Sequence, residues 1–385
     1  MKKKSLFWGS ALSILLLTVA GLLLFSQYNE WNSVQGSTIP LSKGTHVNNE
    51  VELKAKEYST DAVIAGIGDI LLHNTVYEDA ASKNGYEFVG MFDEVRQLLE
   101  EPDFLIANQE SVPGGKELGL SSYPLFNSPH EIVSSLQEVG VDAVTTANNH
   151  SLDQGEKGVL SAIEYYEKIN MPYTGAFKSK QDQQNIRTFN VNGISFALLS
   201  YTYGTNGIPV PQGKEYLVNL LEVDQMIADI KKARKLPVDM VVMGLHWGNE
   251  YERYPTEHQK SIAKQLTEAG ADLIFGHHPH VLQPIEKYKT SDGREAVVIY
   301  SLGNFLSGQK DDFKDIGGIA SVTVQKKIDS EGVKISFPSI DFHPTYVSEN
   351  SYQDYKIYPL ENAHEQGLVT YSKAEMVSHM KAPLQ

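Results

Sequence analysis

The chain has 385 residues, 41% hydrophobic and 21% charged, which is enough to bury a sizeable core and excludes wholesale disorder. It has no cysteine, so disulfides, thiolate metal sites, a thiol nucleophile and a lipid-modified N-terminal cysteine are all excluded. A net charge of −15, more acidic still beyond the lysines at the start, argues against a nucleic-acid partner. An acidic body is also a poor direct partner for any polyanion, unless cations stand between them.

Lys2, Lys3 and Lys4 precede Ser5–Phe25, a run of 21 residues without charge. At about 1.5 Å per residue that run spans a hydrocarbon core of about 30 Å. The lysines place the N-terminus in the cytoplasm and the body outside the cell. A cleavable signal peptide shares this charged start, but its apolar core is shorter and no A-x-A site follows Phe25. Residues 1–25 therefore read as an uncleaved single-pass membrane anchor. Residues 26–59, polar and without period, read as an extracellular stalk. Residues 60–345 form the main domain, and 346–385 a C-terminal extension packed on it or partly mobile.

Within the main domain, short apolar runs alternate with longer amphipathic ones. Strands are predicted at 62–67, 103–108, 142–147, 194–200, 239–245, 272–275 and 296–302. Helices are predicted at 92–100, 130–140, 158–170, 222–235 and 255–270. This alternation argues an α/β domain with much parallel sheet. After Gly317 the pattern turns to tyrosine-bearing strands, so the domain closes with antiparallel pairing.

Polar clusters follow five of the strands, at the carboxyl ends where α/β sheets place their ligand crevices. "GDILLH" carries Asp69 and His73, and "NQE" carries Asn108 and Glu110. "NNHSLD" supplies Asn148, Asn149, His150 and Asp153; "HWGNEY" supplies His246, Glu250 and Tyr251; "GHHPH" supplies His277, His278 and His280. Half of the chain's twelve histidines fall in these segments. Carboxylate, amide and imidazole donors together suit a divalent cation, one or two ions of Mn, Zn, Fe or Mg, rather than a soft metal. His277 is expected to face away, because 278 and 280 share one side of an alternating strand. Asp153 and Glu250 either orient a histidine N–H or cap helices. Asn148 shapes its loop, Trp247 packs in the core, and Asn304 of "YSLGNF" faces the site or packs a turn.

The order Gly-Asp, carboxylate, Asn-His, His, Gly-x-His-x-His resembles the calcineurin-like metallophosphoesterases. The forms "NQE", "ANNHSLD", "HWGNEY", "GHHPHV" and "YSLGNF" look like the CapA family of capsule biosynthesis, which serves poly-γ-glutamate synthesis. The resemblance runs from Ala62 to Phe305. It implies an αββα sandwich of two mixed sheets, with Asp69, Glu110, Asn149, His246, His278 and His280 as metal ligands. His150 would be the acid and Asp69 the first metal carboxylate. His73, Asn108, Asn148, Asp153, Glu250, Tyr251 and Asn304 would touch substrate or support the ligands. The implied partners are poly-γ-glutamate or a related anionic polymer, and other membrane subunits of the capsule synthase. Two departures bear on activity: Leu71 stands where the phosphoesterases have histidine, leaving His73 as the nearest substitute, and Glu110 replaces a bridging aspartate. The site is accordingly that of a metal-dependent hydrolase or transferase, or of a non-catalytic subunit that binds the nascent polymer or synthase partners. A metallohydrolase acting on another cell-surface substrate is the remaining alternative.

Overall fold

The computed structural model describes residues 57–384. The anchor and nearly all of the stalk read from the sequence lie outside the described residues. Among those described, no helix is long and apolar enough to cross a membrane.

The chain opens with the long strand β1 (Tyr58–Leu71), followed by a two-stranded ribbon, β2 (Ala81–Ser82) and β3 (Gly85–Tyr86). Three parallel strands follow, β4 (Phe104–Gln109), β5 (Ala143–Thr145) and β6 (Tyr173–Thr174), each reached through helical segments. A second run comprises β7 (Arg187–Val191), β8 (Ile194–Thr202), β9 (Met240–His246), β10 (Leu273–His277), β11 (Leu282–Lys289) and β12 (Glu295–Leu302). The short β13 (Asn304–Ser307) leads into an antiparallel meander, β14 (Ile316–Asp329), β15 (Gly332–Asn350) and β16 (Gln353–Pro359).

These strands form two mixed sheets. The first has the order β16-β15-β14-β1-β4-β5-β6, with β13 pairing alongside β1; the second has the order β11-β12-β10-β9-β8-β7. All seven strands expected from the sequence are present, and the antiparallel close after Gly317 is as expected. The segment expected as a helix at 92–100 divides into a 3-10 stretch, Val89–Val95, and a short α-helix, Arg96–Glu100.

Alternation along the strands separates three cores. Ile64, Ile106, Phe196, Val242, Phe275 and Ile299 face one another between the sheets. The opposite face of the first sheet packs Ile67, Leu105 and Val144 against Leu136 and Ile163 of the helices Glu131–Glu138 and Gly155–Ile169. The outer face of the second sheet packs Val241, Met243 and Ile274 against the helices Val223–Ala233 and Glu257–Ala269. Each sheet is thus apolar on both faces, as a sheet covered by helices on one side and a second sheet on the other must be. The last forty residues add Leu360, Met376 and Met380 to the core between the sheets.

Candidate metal centre

The site begins with a bulge. Along β1, Ile64 faces the inter-sheet core and Ile67 the helical side, so strict alternation would turn Asp69 away from the second sheet. The register against β4 slips between Ile67 and Asp69: Ile67 pairs Ala107, but Asp69 pairs Asn108. Gly68 is the extra residue, and the phase reverses so that Asp69 points inward and Ile70 outward. A Cβ at position 68 would lie 2.2 Å from the carbonyl oxygen of Gly303, which is why the residue is glycine.

Two rows of polar residues then face each other between the sheets. On the first sheet Asn304, Asp69, Asn108 and Thr145 lie in register across β13, β1, β4 and β5. On the second, Thr202, His246 and His277 lie in register across β8, β9 and β10. Thr145 Oγ1 donates to Asn108 Oδ1 at 3.2 Å, and Asn108 Nδ2 donates to Asp69 Oδ1 at 2.9 Å. The same amide lies 3.3 Å from His246 Nδ1, joining the rows.

Glu110 sits just past the end of β4, wholly buried, and neither of its oxygens has a hydrogen-bond partner. Its Oε1 is 3.4 Å from His246 Nε2 and 3.7 Å from His280 Nε2. His246 Nε2 also donates to Asn149 Oδ1 at 2.8 Å. His278 Nδ1 is likewise buried without a partner. Donor atoms of Glu110, His278 and His280 lie within 4.8 Å of one another, as do those of Asp69, Glu110 and His246. An unpaired buried carboxylate is costly, and a cluster of five converging charged or imidazole donors is the arrangement a divalent cation relieves. The residues present fit such an ion, as oxygen and nitrogen ligands only.

The electrostatics follow from burial and from the neighbouring charges. Burial pushes the Glu110 carboxyl up to about 8, with Asp69 adding to the rise against the pull of His280. Burial alone would raise Asp69 too, but His277 and His280 outweigh it and hold that carboxyl well below its usual range. Burial opposes protonation of His280, yet Glu110 and Asp69 raise it to about 9. His278 is pushed down to about 2 by burial, aided by His246 and His280, and His246 also falls well below its usual value through burial.

Supporting residues fix these groups. His280 Nδ1 donates to Asn304 Oδ1 at 3.0 Å, and Asn304 Nδ2 is itself held by Lys314 O at 2.7 Å. Asp69 Oδ2 accepts the backbone N–H of His278 at 3.3 Å. His150 Nδ1 donates to Asp153 Oδ2 at 2.7 Å, which leaves the His150 Nε2 as the free ring nitrogen. Of the two roles open to Asp153, the structure assigns the orienting one. Asn148 shapes its loop, accepting from the His150 N–H at 3.0 Å and donating to Gln109 O at 2.8 Å. Trp247 is buried, its indole N–H donating to Tyr300 O.

Other expectations need correction. His277 does not face away: its Nδ1 lies 3.2 Å from Asp69 Oδ1, though out of line for a hydrogen bond. The alternation argument fails because β10 ends at His277, and His278 (φ 95°) and His280 (φ 58°) adopt left-handed backbone conformations. His73 does not replace the missing histidine at Leu71. Its Nδ1 accepts from the Gly308 N–H at 3.2 Å, its ring packs edge-on against Phe126, and burial pushes it down to about 4. Leu71 itself is buried. Glu250 is exposed and outside the cluster, while Tyr251 is half-exposed at the mouth with its ring 6.2 Å from His280. Sequence reasoning missed Tyr203, whose ring lies 4.6 Å from His278, and Asn206, whose Oδ1 accepts from Asn149 Nδ2 at 3.3 Å. Both follow β8, whose end bears no histidine or carboxylate to draw attention.

The family model described as "Bacterial capsule synthesis protein PGA_cap" matches residues 63–309. The "Capsule biosynthesis protein CapA" of Bacillus anthracis is 32% identical over 250 residues, covering 63% of this chain and 59% of that protein. The "PGA biosynthesis protein CapA" of Bacillus subtilis (strain 168) is 32% identical over 270 residues, 66% of each chain. This chain therefore spans between 59% and 66% of the length of these relatives. Among solved structures, the calcineurin-like phosphoesterase YfkN from Bacillus subtilis is similar at 14% identity and a TM-score of 0.45, covering 84% of this chain and 99% of that one. A likeness that slight carries no argument about chemistry.

Proposed function

The chain belongs to the bacterial capsule synthesis protein PGA_cap family, and from that membership we propose that it is a membrane-anchored, extracellular component of poly-γ-glutamate capsule synthesis or export. Its metal centre handles the polymer as a hydrolase or transferase. The observation that carries the reading is the buried convergence of Asp69, Glu110, His246, His278 and His280 within a domain matched by the family. The relatives named for capsule and PGA biosynthesis support the process, and the apolar run Ser5–Phe25 supports the anchor.

Asp69, Glu110, Asn149, His246, His278 and His280 would hold the cation. A bound divalent ion supplies Lewis acidity toward the oxygen of the bond to be cut and lowers the pKa of bound water toward 7. The rest is done by the chain's own groups. Asp153 keeps the His150 Nδ1 proton in place, so the Nε2 face takes up and returns a proton at the leaving group. Asn108 and the His278 N–H fix both oxygens of Asp69. Asn304 fixes the ring of His280, and Tyr203 and Tyr251 wall the mouth. A cation would also reconcile the acidic body with an acidic polymer.

The test is polymer yield in strains carrying Asp69→Asn or His150→Ala. Loss of polymer at unchanged protein level and unchanged complex assembly supports the reading, whereas full-length polymer at normal yield from both strains contradicts it. One observation favours a second reading, a non-catalytic polymer-binding subunit: a buried leucine, Leu71, stands where the phosphoesterase pattern has histidine, and His73 turns its Nδ1 to the backbone. That reading predicts Asp69→Asn with lost metal, retained assembly and normal polymer.

A further inference from the structure

Arg253 is a half-buried cation that has no carboxylate partner among the described residues. Its Nε is buried without a hydrogen-bond acceptor, and its Nη2 reaches the sulfur of Met376 at 3.9 Å. The guanidinium carbon lies 3.8 Å over the ring of Phe313, which in turn stacks on Tyr371 at 4.3 Å. A guanidinium whose face lies on an aromatic ring keeps its in-plane Nη N–H groups for an acceptor such as a carboxylate, while the buried Nε is out of a ligand's reach. Arg253 lines a cavity of about 570 Å³ together with Tyr254, Tyr371, Met376 and His379. The acid in that wall, Glu375, caps the last helix, its Oε2 accepting from the Ser372 N–H at 2.8 Å and the Ser372 hydroxyl at 2.9 Å, and its charge acts on Arg253 without an ion-pair contact.

The loops that carry Arg253 and Phe313 also reach toward the metal centre. Tyr251, two residues before Arg253, has its ring 6.2 Å from His280. Lys314, next to Phe313, holds its ammonium 5.4 Å over that same Tyr251 ring. Its ion-pair partner Asp312 lies at 3.5 Å and is 87% exposed, a pairing worth little and easily exchanged. Two cations thus stand on these adjoining loops of an otherwise acidic protein.

We propose that Arg253, with Lys314 between it and the metal centre, forms a subsite that binds side carboxylates of an acidic polymer whose neighbouring unit lies at the centre. The inference rests on the reading that this site handles poly-γ-glutamate or a related polycarboxylate. The aromatic walls suit the methylene stretches between charges, and the guanidinium suits the charges themselves.

The experiment is binding of fluorescent γ-glutamate oligomers to the full-length chain, as wild type, Arg253→Gln and Arg253→Lys. Metal content and thermal midpoint are measured alongside. Arg253→Gln weakens oligomer binding about tenfold or more at unchanged metal content. Arg253→Lys restores part of it, because an ammonium keeps the charge but not the fork; it also carries the test if the glutamine variant does not fold. Wild-type binding with no loss in either variant overturns the subsite and leaves the function standing. No binding by wild type overturns both. Displacement by inorganic phosphate as readily as by glutarate overturns the carboxylate assignment in favour of a general anion seat.

Discussion

Single residues decide whether the cluster is a metal centre. Burial raises the Glu110 carboxyl to about 8, and Glu110 and Asp69, against burial, raise His280 to about 9. Protons on this pair compete with a cation, so its affinity is weakest in acid and rises as pH climbs through 8 to 9. Calorimetry in buffers of different ionisation enthalpy should register proton release on metal uptake at pH 7. Uptake that is flat with pH and releases no protons would contradict the ligand set. Asp153→Asn leaves the ligands intact but replaces the carboxylate that orients His150 with an uncharged amide, so activity or polymer yield should fall about 10–100-fold at unchanged metal content. At this scale the sequence showed the donor types well, because five polar motifs each follow an apolar run. It could not show His277 meeting Asp69, since the left-handed turn at His278 breaks the alternation on which that reading relied. Tyr203 and Asn206 stayed hidden because an aromatic and an amide in a loop have no spacing signature.

Among the elements, the strands do most to place the site, and β1 most of all. Gly68→Ala forces a methyl group against the Gly303 carbonyl and presses on the bulge that aims Asp69 inward. We expect a loss of about 1–3 kcal/mol in urea unfolding, together with weaker metal retention; a variant with wild-type stability and metal content would show that the bulge is dispensable. The seven buried strands were legible because each is a short apolar run bounded by polar residues. Strand β11 was not, because Pro284 interrupts its pattern, which the sheet tolerates at its edge. The short β13 was read as a turn, yet it carries Asn304 into register with Asp69.

For the whole molecule, composition gave the core and the acidic surface but not where Arg253 and Lys314 lie. Only the loops around Tyr251 and Phe313, brought together by folding, reveal Arg253 and Lys314 as neighbours. The last forty residues carried little pattern, yet Met380 is fully buried between the sheets. Met380→Ala should therefore cost about 2–5 kcal/mol of stability by denaturant titration, and a neutral result would mean the C-terminal helix is not part of the cooperative unit. The central claim is that the two sheets converge on a cation. Its most direct test is the metal content of the purified full-length chain, beside a His278→Ala, His280→Ala double variant, after dialysis against Mn²⁺ or Zn²⁺. The account predicts about one or two ions per wild-type chain and their loss from the variant. Metal absent from both, or equal in both, would contradict it.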